Sequence, residues 1–200
     1  MVSKDPENTR QVLLFAAFVE INKHGFQAAS LGNILKETNV TKGALYHHFS
    51  SKLELGYAVV DELIKNSVIE NWSARLEQTE NIIDELLIII EAQIECRDDE
   101  NICLGCPLNN LAQEMSPIDE GFRSRINSIF DLWRTAIVDG LNEGQKKNIV
   151  KESISTEASA YFIVAAVEGA VSLAKNAKSV DVLKISLQGL TQHIESLRKL

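Results

Sequence analysis

Apolar residues recur along this chain at spacings of three and four, and β-branched residues do not alternate with polar ones, so the pattern predicts helices from end to end. A first helix is expected over 9–23, with Leu13, Ala17 and Ile21 on one face and Leu14 and Phe18 beside them. Gly25 and Phe26 close it, the glycine supplying the left-handed conformation that ends many helices. Ser30 is placed to cap a short helix over 31–37 whose Leu31, Ile34 and Leu35 face inward. Asn39 follows in the turn and tolerates positive φ better than other non-glycine residues. Thr41 then caps a third helix anchored by Leu45 and Phe49. Ser51 and Glu54 have the spacing of a capping box, which starts a fourth helix running to about residue 75.

The rest of the pattern is longer and more regular. A fifth helix over 80–97 carries Ile83, Leu86, Leu87, Ile90 and Ile94, and a loop over 98–105 leads to a short helix starting at Pro107. Ser116-Pro117 predicts the next helix start, with Asp119 and Glu120 in the first turn. That helix bears Phe122, Ile126, Ile129, Phe130, Trp133 and Ile137. Two helices remain, over 156–174 and 180–198. The first sets Phe162 beside the small residues Ala165 and Gly169. The second spaces Leu183, Leu187, Leu190, Ile194 and Leu197 like a heptad seam. Two copies could join these helices in a four-helix interface through Phe162, Ala165, Gly169, Leu183, Leu187, Leu190 and Ile194; alternatively both seams are satisfied within one chain. The fold class expected is all-α: an N-terminal three-helix helix-turn-helix domain over 1–52, and a C-terminal helical ligand-binding and dimerisation domain over 53–200.

Length agrees, since 200 residues exceed one small helix-turn-helix unit and suit that unit plus one helical domain. The apolar run 86–90 is far shorter than the roughly 20 residues that cross a bilayer. No secretory leader is visible, so no membrane partner is expected and the cytoplasm is the expected compartment. The formal net charge of −8 argues against nucleic acid until it is divided. Residues 1–52 hold six cations (Lys4, Arg10, Lys23, Lys36, Lys42, Lys52) against four anions, a net +2, which leaves −10 for the remainder. A mildly basic head on an acidic body repels phosphate everywhere except at the head.

The stretch 41–52, Thr-Lys-Gly-Ala-Leu-Tyr-His-His-Phe-Ser-Ser-Lys, has much reach and little core. A helix entering the major groove would bring Thr41 and Lys42 to phosphate or a base edge. Gly43 would let the backbone come close, and Ala44 could meet a thymine methyl. Tyr46 and His47 have hydrogen-bonding tips, and Lys52 adds a cation at a capped helix start. Ser30 joins this DNA-binding set from the second helix. Tyr46 could equally be partly core, His48 is expected to pack against the head, and Lys36 to be a solvated lysine.

These residues carry a resemblance. Ala16-Ala17, Gly25-Phe26, Ser30-Leu31, Ile34, Val40-Thr41-Lys42-Gly43, Leu45-Tyr46, Phe49 and Lys52-Leu53-Glu54-Leu55 resemble, in order and spacing, the N-terminal domain of the tetracycline-repressor (TetR-like) family of bacterial regulators. Asn39 stands where glycine is usual and Leu35 where alanine is usual; the latter implies a shifted contact between the first two helices. The resemblance covers about a quarter of the chain. It implies an all-α homodimer that binds a palindromic double-stranded DNA operator, usually as a repressor, with a small-molecule effector in the C-terminal domain moving the fourth helix. The stretch 105–123 also resembles C-terminal domains of part of that family. No cofactor is implied.

Cys96, Cys103 and Cys106 surround one loop and leave three readings open. They are buried apolar residues, a thiol switch at the helix beginning with Pro107, or a metal site short of a fourth ligand. The first is favoured, so no metal is expected; the switch is kept as a redox-sensing or activating alternative. For an effector pocket the candidates are Gln93, Asn109, Phe122, Phe130, Trp133, Phe162 and Glu168, polar or aromatic residues within mainly apolar helices. No nucleophile–base pair, phosphate loop or paired carboxylate motif stands out, which argues against an enzyme.

Overall fold

The structure, a computed structural model, describes residues 6–199. Of the head's cations and anions, Lys4 and Asp5 lie outside the described residues. Among the described residues there are nine helices: α1 (Pro6–His24), α2 (Leu31–Thr38), α3 (Lys42–His48), α4 (52–78), α5 (Ile82–Glu95), α6 (Pro107–Met115), α7 (Glu120–Lys146), α8 (Thr156–Ala177) and α9 (Val180–Ser196). A single 3-10 turn, Ile102–Leu104, precedes α6. The described chain divides into two compact units, one of residues 6–66 and 107–127, the other of residues 67–106 and 128–199.

The first unit is built on local stops that the side chains dictate. Gly25 takes φ +81° and ends α1, and a side chain there would also collide with the Glu114 carboxylate, 2.8 Å from the position a Cβ would occupy. Ser30 Oγ accepts from Asn33 N–H, Thr41 Oγ1 from Ala44 N–H and Ser51 Oγ from Glu54 N–H, so each of α2, α3 and α4 starts on a hydroxyl cap. Asn39 supplies the left-handed residue between α2 and α3, at φ +54°. Leu13, Leu14, Ala17, Ile21, Ile34, Leu45 and Phe49 form the head's core; Phe18, Leu31 and Leu35, expected inward, are half-buried instead. Leu111, Met115 and Phe122 are buried in the same unit, with Phe122 edge-on to Phe26 at 4.7 Å.

The helix expected at Ser116-Pro117 begins three residues later. Ile118 and Asp119 donate their N–H groups to Met115 O, at 3.1 and 2.9 Å, which makes 116–118 the closing turn of α6. Asp119 is the cap of α7, accepting from Phe122 N–H at 2.8 Å and from the Tyr57 hydroxyl at 2.8 Å. Within α4, Val59–Ile64 and Ile69–Ser73 widen to i→i+5 bonding: Lys65 N–H reaches Val60 O and Ala74 N–H reaches Ile69 O. No residue pattern announces these wide turns.

In the second unit Asn81 caps α5 through Ile83 N–H and Asp84 N–H. The faces of α8 and α9 interlock, burying Ile163, Val167 and Val171 with Leu183, Leu187, Leu190 and Ile194. By length and composition α8 could cross a bilayer, but it is a core helix of this unit, with Ala160, Ile163, Val167, Ala170 and Ala174 buried. A short antiparallel bridge between Val150 and Arg198 fastens the chain's end, with Lys151 N–H on Leu197 O at 2.9 Å.

Candidate functional site

The outer face of α3 is exposed and carries hydrogen-bonding tips. Leu45 and Phe49 fix it from below, and Thr41, Lys42, Gly43 and His47 are exposed around it. Tyr46 is 44% exposed, so the ring faces outward and is not core. Lys42 Nζ lies 5.9 Å from the centre of that ring, which lines the two side chains up along one edge. Nothing lies within 4 Å of where a Cβ on Gly43 would be, so the backbone there is open to close approach. Ala44 is half-buried, and His48 packs edge-on to His47 and tilted on Phe49, as expected of a residue that supports the head.

Two of the residues expected to reach DNA have work within the protein. Lys52 Nζ donates to Gln27 O at 3.0 Å and stands 5.0 Å from the Phe26 ring centre. Ser30 is half-buried; besides capping α2 it gives its N–H to Glu20 Oε1 at 3.0 Å, and the same oxygen takes Asn33 Nδ2 at 2.9 Å. Arg10, counted among the head's cations, forms a two-point pair with Glu62 whose hydrogen bonds hold the Glu62 carboxyl below the usual range. Lys23, Lys36 and Lys42 are exposed lysines of the head.

Sequence reading missed the groups that brace this face. Glu114 on α6 accepts from Phe26 N–H and Gln27 N–H, both at 2.8 Å, and so holds the turn between α1 and α2. Asp119 receives Phe122 N–H first and the Tyr57 hydroxyl second, which together hold its carboxyl below the usual range, while burial and then Asp119 push the Tyr57 hydroxyl up. Arg125 pairs with Asp61 at 2.8 Å and covers the Tyr57 ring at 4.0 Å. The Glu114–Phe26, Asp119–Tyr57 and Arg125–Asp61 contacts each span more than sixty residues of sequence, so no local signal could have found them.

The seven pocket candidates are divided between the two units, Asn109 and Phe122 in the first and the other five in the second. Phe122 belongs to the core of the first unit, between Phe26 and Tyr57, and Asn109 is half-buried in α6. Phe162 is 50% exposed and turned outward, edge-on to His193 at 4.5 Å. Trp133 is buried against Trp72, with ring centres 4.6 Å apart, and Phe130 is half-buried. Gln93 and Glu168 do share a neighbourhood in the second unit. Arg97 Nη1 donates to Gln93 Oε1 at 2.9 Å, and both Arg97 and the hydrogen-bonded Cys106 thiol act on the Glu168 carboxyl.

Of the residues expected to join two copies, the seam on α9 is occupied within one chain, as the alternative reading allowed. Leu183, Leu187, Leu190 and Ile194 are all buried against α8 and the rest of the second unit, so they are core and offer no surface to a partner. The opposite face of the same pair is open: Phe162, Ala165, Gly169 and Leu173 on α8, Ile185 and Gly189 on α9. Nothing lies within 4 Å of a Cβ built on Gly169 or Gly189. The cysteines also depart from expectation. Cys96 and Cys103 are exposed rather than buried, Cys106 is half-buried with its thiol on the Glu168 carboxyl, and none of the three is in a disulfide. Among the described residues no group of histidines, cysteines and carboxylates has the arrangement of a metal site.

A capped, core-anchored and exposed third helix following a short second one defines a helix-turn-helix regulator. The profile of bacterial regulatory proteins of the tetR family matches residues 13–59, and that of the C-terminal domain of LmrA/YxaF-like transcriptional regulators matches residues 82–187. The chain belongs to the TetR family of transcriptional regulators, with an LmrA/YxaF-like C-terminal domain. Its relatives include the HTH-type transcriptional regulator LmrA of Bacillus subtilis strain 168, 28% identical over 90% of this chain and 93% of that protein. Another is the HTH-type transcriptional repressor DhaR of Mycobacterium sp. strain GP1, 25% identical over 74% and 73%. In fold it resembles a TetR regulator from Chloroflexus aurantiacus J-10-FL, with TM-score 0.86, 24% identity, and 99% and 100% of the two chains covered. The protein is thus a DNA-binding transcriptional regulator and not an enzyme.

Proposed function

We propose that this regulator is a cytoplasmic repressor that binds a palindromic operator as a homodimer and is released by a small-molecule effector. DNA reading is assigned to residues 1–52. Effector binding and dimerisation are assigned to residues 53–200, of which 53–66 and 107–127 pack within the first unit. The observation that carries this reading is the outward edge of α3, where Lys42 and Tyr46 align above a helix anchored by Leu45 and Phe49. Thr41, Gly43 and Ala44 form the end that enters the groove, with His47 beside them, and Ser30 and Lys52 hold the neighbouring turns in place. The open face of Phe162, Ala165 and Gly169 supports pairing of two copies, which a two-fold operator requires. Two conformers with different head spacings, one preferred by the effector, then supply release.

Electrophoretic shift of the chain's own upstream DNA tests the reading. The wild-type protein retards the fragment at low salt, and a fractionated cell extract or compound library contains a component that abolishes the shift. No retardation of any upstream fragment contradicts DNA reading, and a shift that no compound relieves contradicts effector release. A second reading, a thiol-responsive regulator on the same scaffold, is favoured by the exposure of Cys96 and Cys103. Operator affinity unchanged by peroxide or diamide dismisses it.

A further inference from the structure

We propose that the second unit binds an apolar primary amine whose ammonium group is held by Glu168. This rests on the reading of that unit as the effector-binding part and names the chemistry it recognises. Glu168 lies on α8, in the middle of a core helix, and is only 8% exposed. Its Oε2 is cut off from solvent and has no hydrogen-bond partner among the described residues. Helical spacing puts Val164 and Val171 on the same side, and the turn Ile102–Leu104, with Ile102 buried, packs against this helix.

The nearest cation does not complete the site. Arg97 acts on Glu168 through space, but its Nη1 is turned to Gln93, donating to the backbone oxygen and to Oε1. Its influence on Glu168 is coulombic, whereas the hydrogen bond to that carboxyl comes from Cys106. A buried carboxylate with one oxygen bonded to the Cys106 thiol and the other left unmet is a burden that a leucine on the same helix would remove. Its use is to accept a donor that arrives from outside. A hydroxyl would satisfy the oxygen and leave the charge unbalanced; an ammonium supplies both the hydrogen bond and the counter-charge, and an apolar tail suits the surrounding valines and isoleucine. Burial pushes the Glu168 carboxyl up to about 7, with the Cys106 thiol and then Arg97 pulling it partly back, so a bound cation would draw it into the ionised form.

The test is calorimetric titration of the full chain, above neutral pH, with n-butylamine, n-hexylamine and n-octylamine, and with hexanol and hexanoate as neutral and anionic controls of equal tail. At least one amine should bind at one per chain and about tenfold more tightly than the control headgroups, and Glu168→Gln should weaken it by about tenfold. Thermal melting checks that Glu168→Gln is folded, and the headgroup comparison in the wild-type protein does not depend on the variant. Absence of binding by all three amines, equal binding of hexanoate or hexanol, or undiminished binding by Glu168→Gln each overturns the proposal. If operator release by some other compound persists in Glu168→Gln, the amine site falls and effector release stands. If no compound releases the operator, the effector reading falls by its own test.

Discussion

Lys42 and Tyr46 stand one helical turn apart on α3, and their chemistry predicts different losses. Lys42→Ala removes one phosphate-neutralising cation and should weaken operator binding about uniformly across sequences, lowering the slope of log affinity against log salt by roughly 0.9. Tyr46→Ala should weaken binding by about 1 kcal/mol, the scale of a hydrogen bond, and Tyr46→Phe should lose most of the same amount if the hydroxyl is the working atom. Filter-binding titrations at several salt concentrations read both effects, and an unchanged slope for Lys42→Ala would remove that residue from the interface. Glu168 gives a prediction of another kind. Its carboxyl is raised from an ordinary 4.5 to about 7, so its neutral form suits the fold and its ionised form opposes it. Stability should therefore be full below about 4.5, fall as pH rises toward 7 and level off above it. Glu168→Gln should remove a penalty of about 3 kcal/mol at alkaline pH. Urea titrations across this range check the sign; a wild-type protein that gains stability from this group with rising pH contradicts it.

At the scale of elements, the stops between helices are where single residues decide most. Gly25→Ala would put a Cβ into a left-handed conformation and against the Glu114 carboxylate, and should lower stability by about 1–3 kcal/mol by denaturant unfolding. Glu114→Ala should loosen the turn between α1 and α2 by removing acceptors from Phe26 N–H and Gln27 N–H, seen as faster hydrogen exchange of those two amides. Equal exchange in variant and wild type would mean that the turn holds itself. Much at this scale was legible in the sequence because it is local. Ser30, Thr41 and Ser51 cap the helices they precede, and Gly25 and Asn39 take the left-handed conformations their types favour. What was illegible depends on distant partners or on competition between adjacent signals. Ser116-Pro117 reads as a helix start, yet Met115 O captures the two following N–H groups and leaves the capping to Asp119. Glu114 lies 88 residues from Phe26, and the wide turns of α4 leave no mark in periodicity.

At the scale of the molecule, the expected interface divides: its leucine seam lies in the core, while Phe162, Ala165 and Gly169 stay open. The leucine spacing of α9 was visible, but a heptad seam does not say whether its partner is in the same chain, and here α8 fills that role. The opposite face is what a second copy would cover. Gly169→Glu should therefore leave the fold of the single chain intact, since nothing crowds that position, while turning a dimer into a monomer by sedimentation. Leu187→Ala, by contrast, should cost about 2–5 kcal/mol of stability through a core cavity. A dimeric Gly169→Glu would move the interface elsewhere. Charge acts at this scale too, with the exposed lysines of the head against the acidic remainder favouring one approach to a polyanion.

The most direct measurement is hydroxyl-radical footprinting of the upstream DNA by the wild-type protein and by Tyr46→Ala. Two protected half-sites related by two-fold symmetry, their centres one DNA turn (roughly 34–36 Å) or a multiple of it apart, are predicted for a pair of α3 helices, with protection lost or weakened in the variant. A single unsymmetrical patch, no protection at low ionic strength, or a footprint indifferent to Tyr46 would contradict the account.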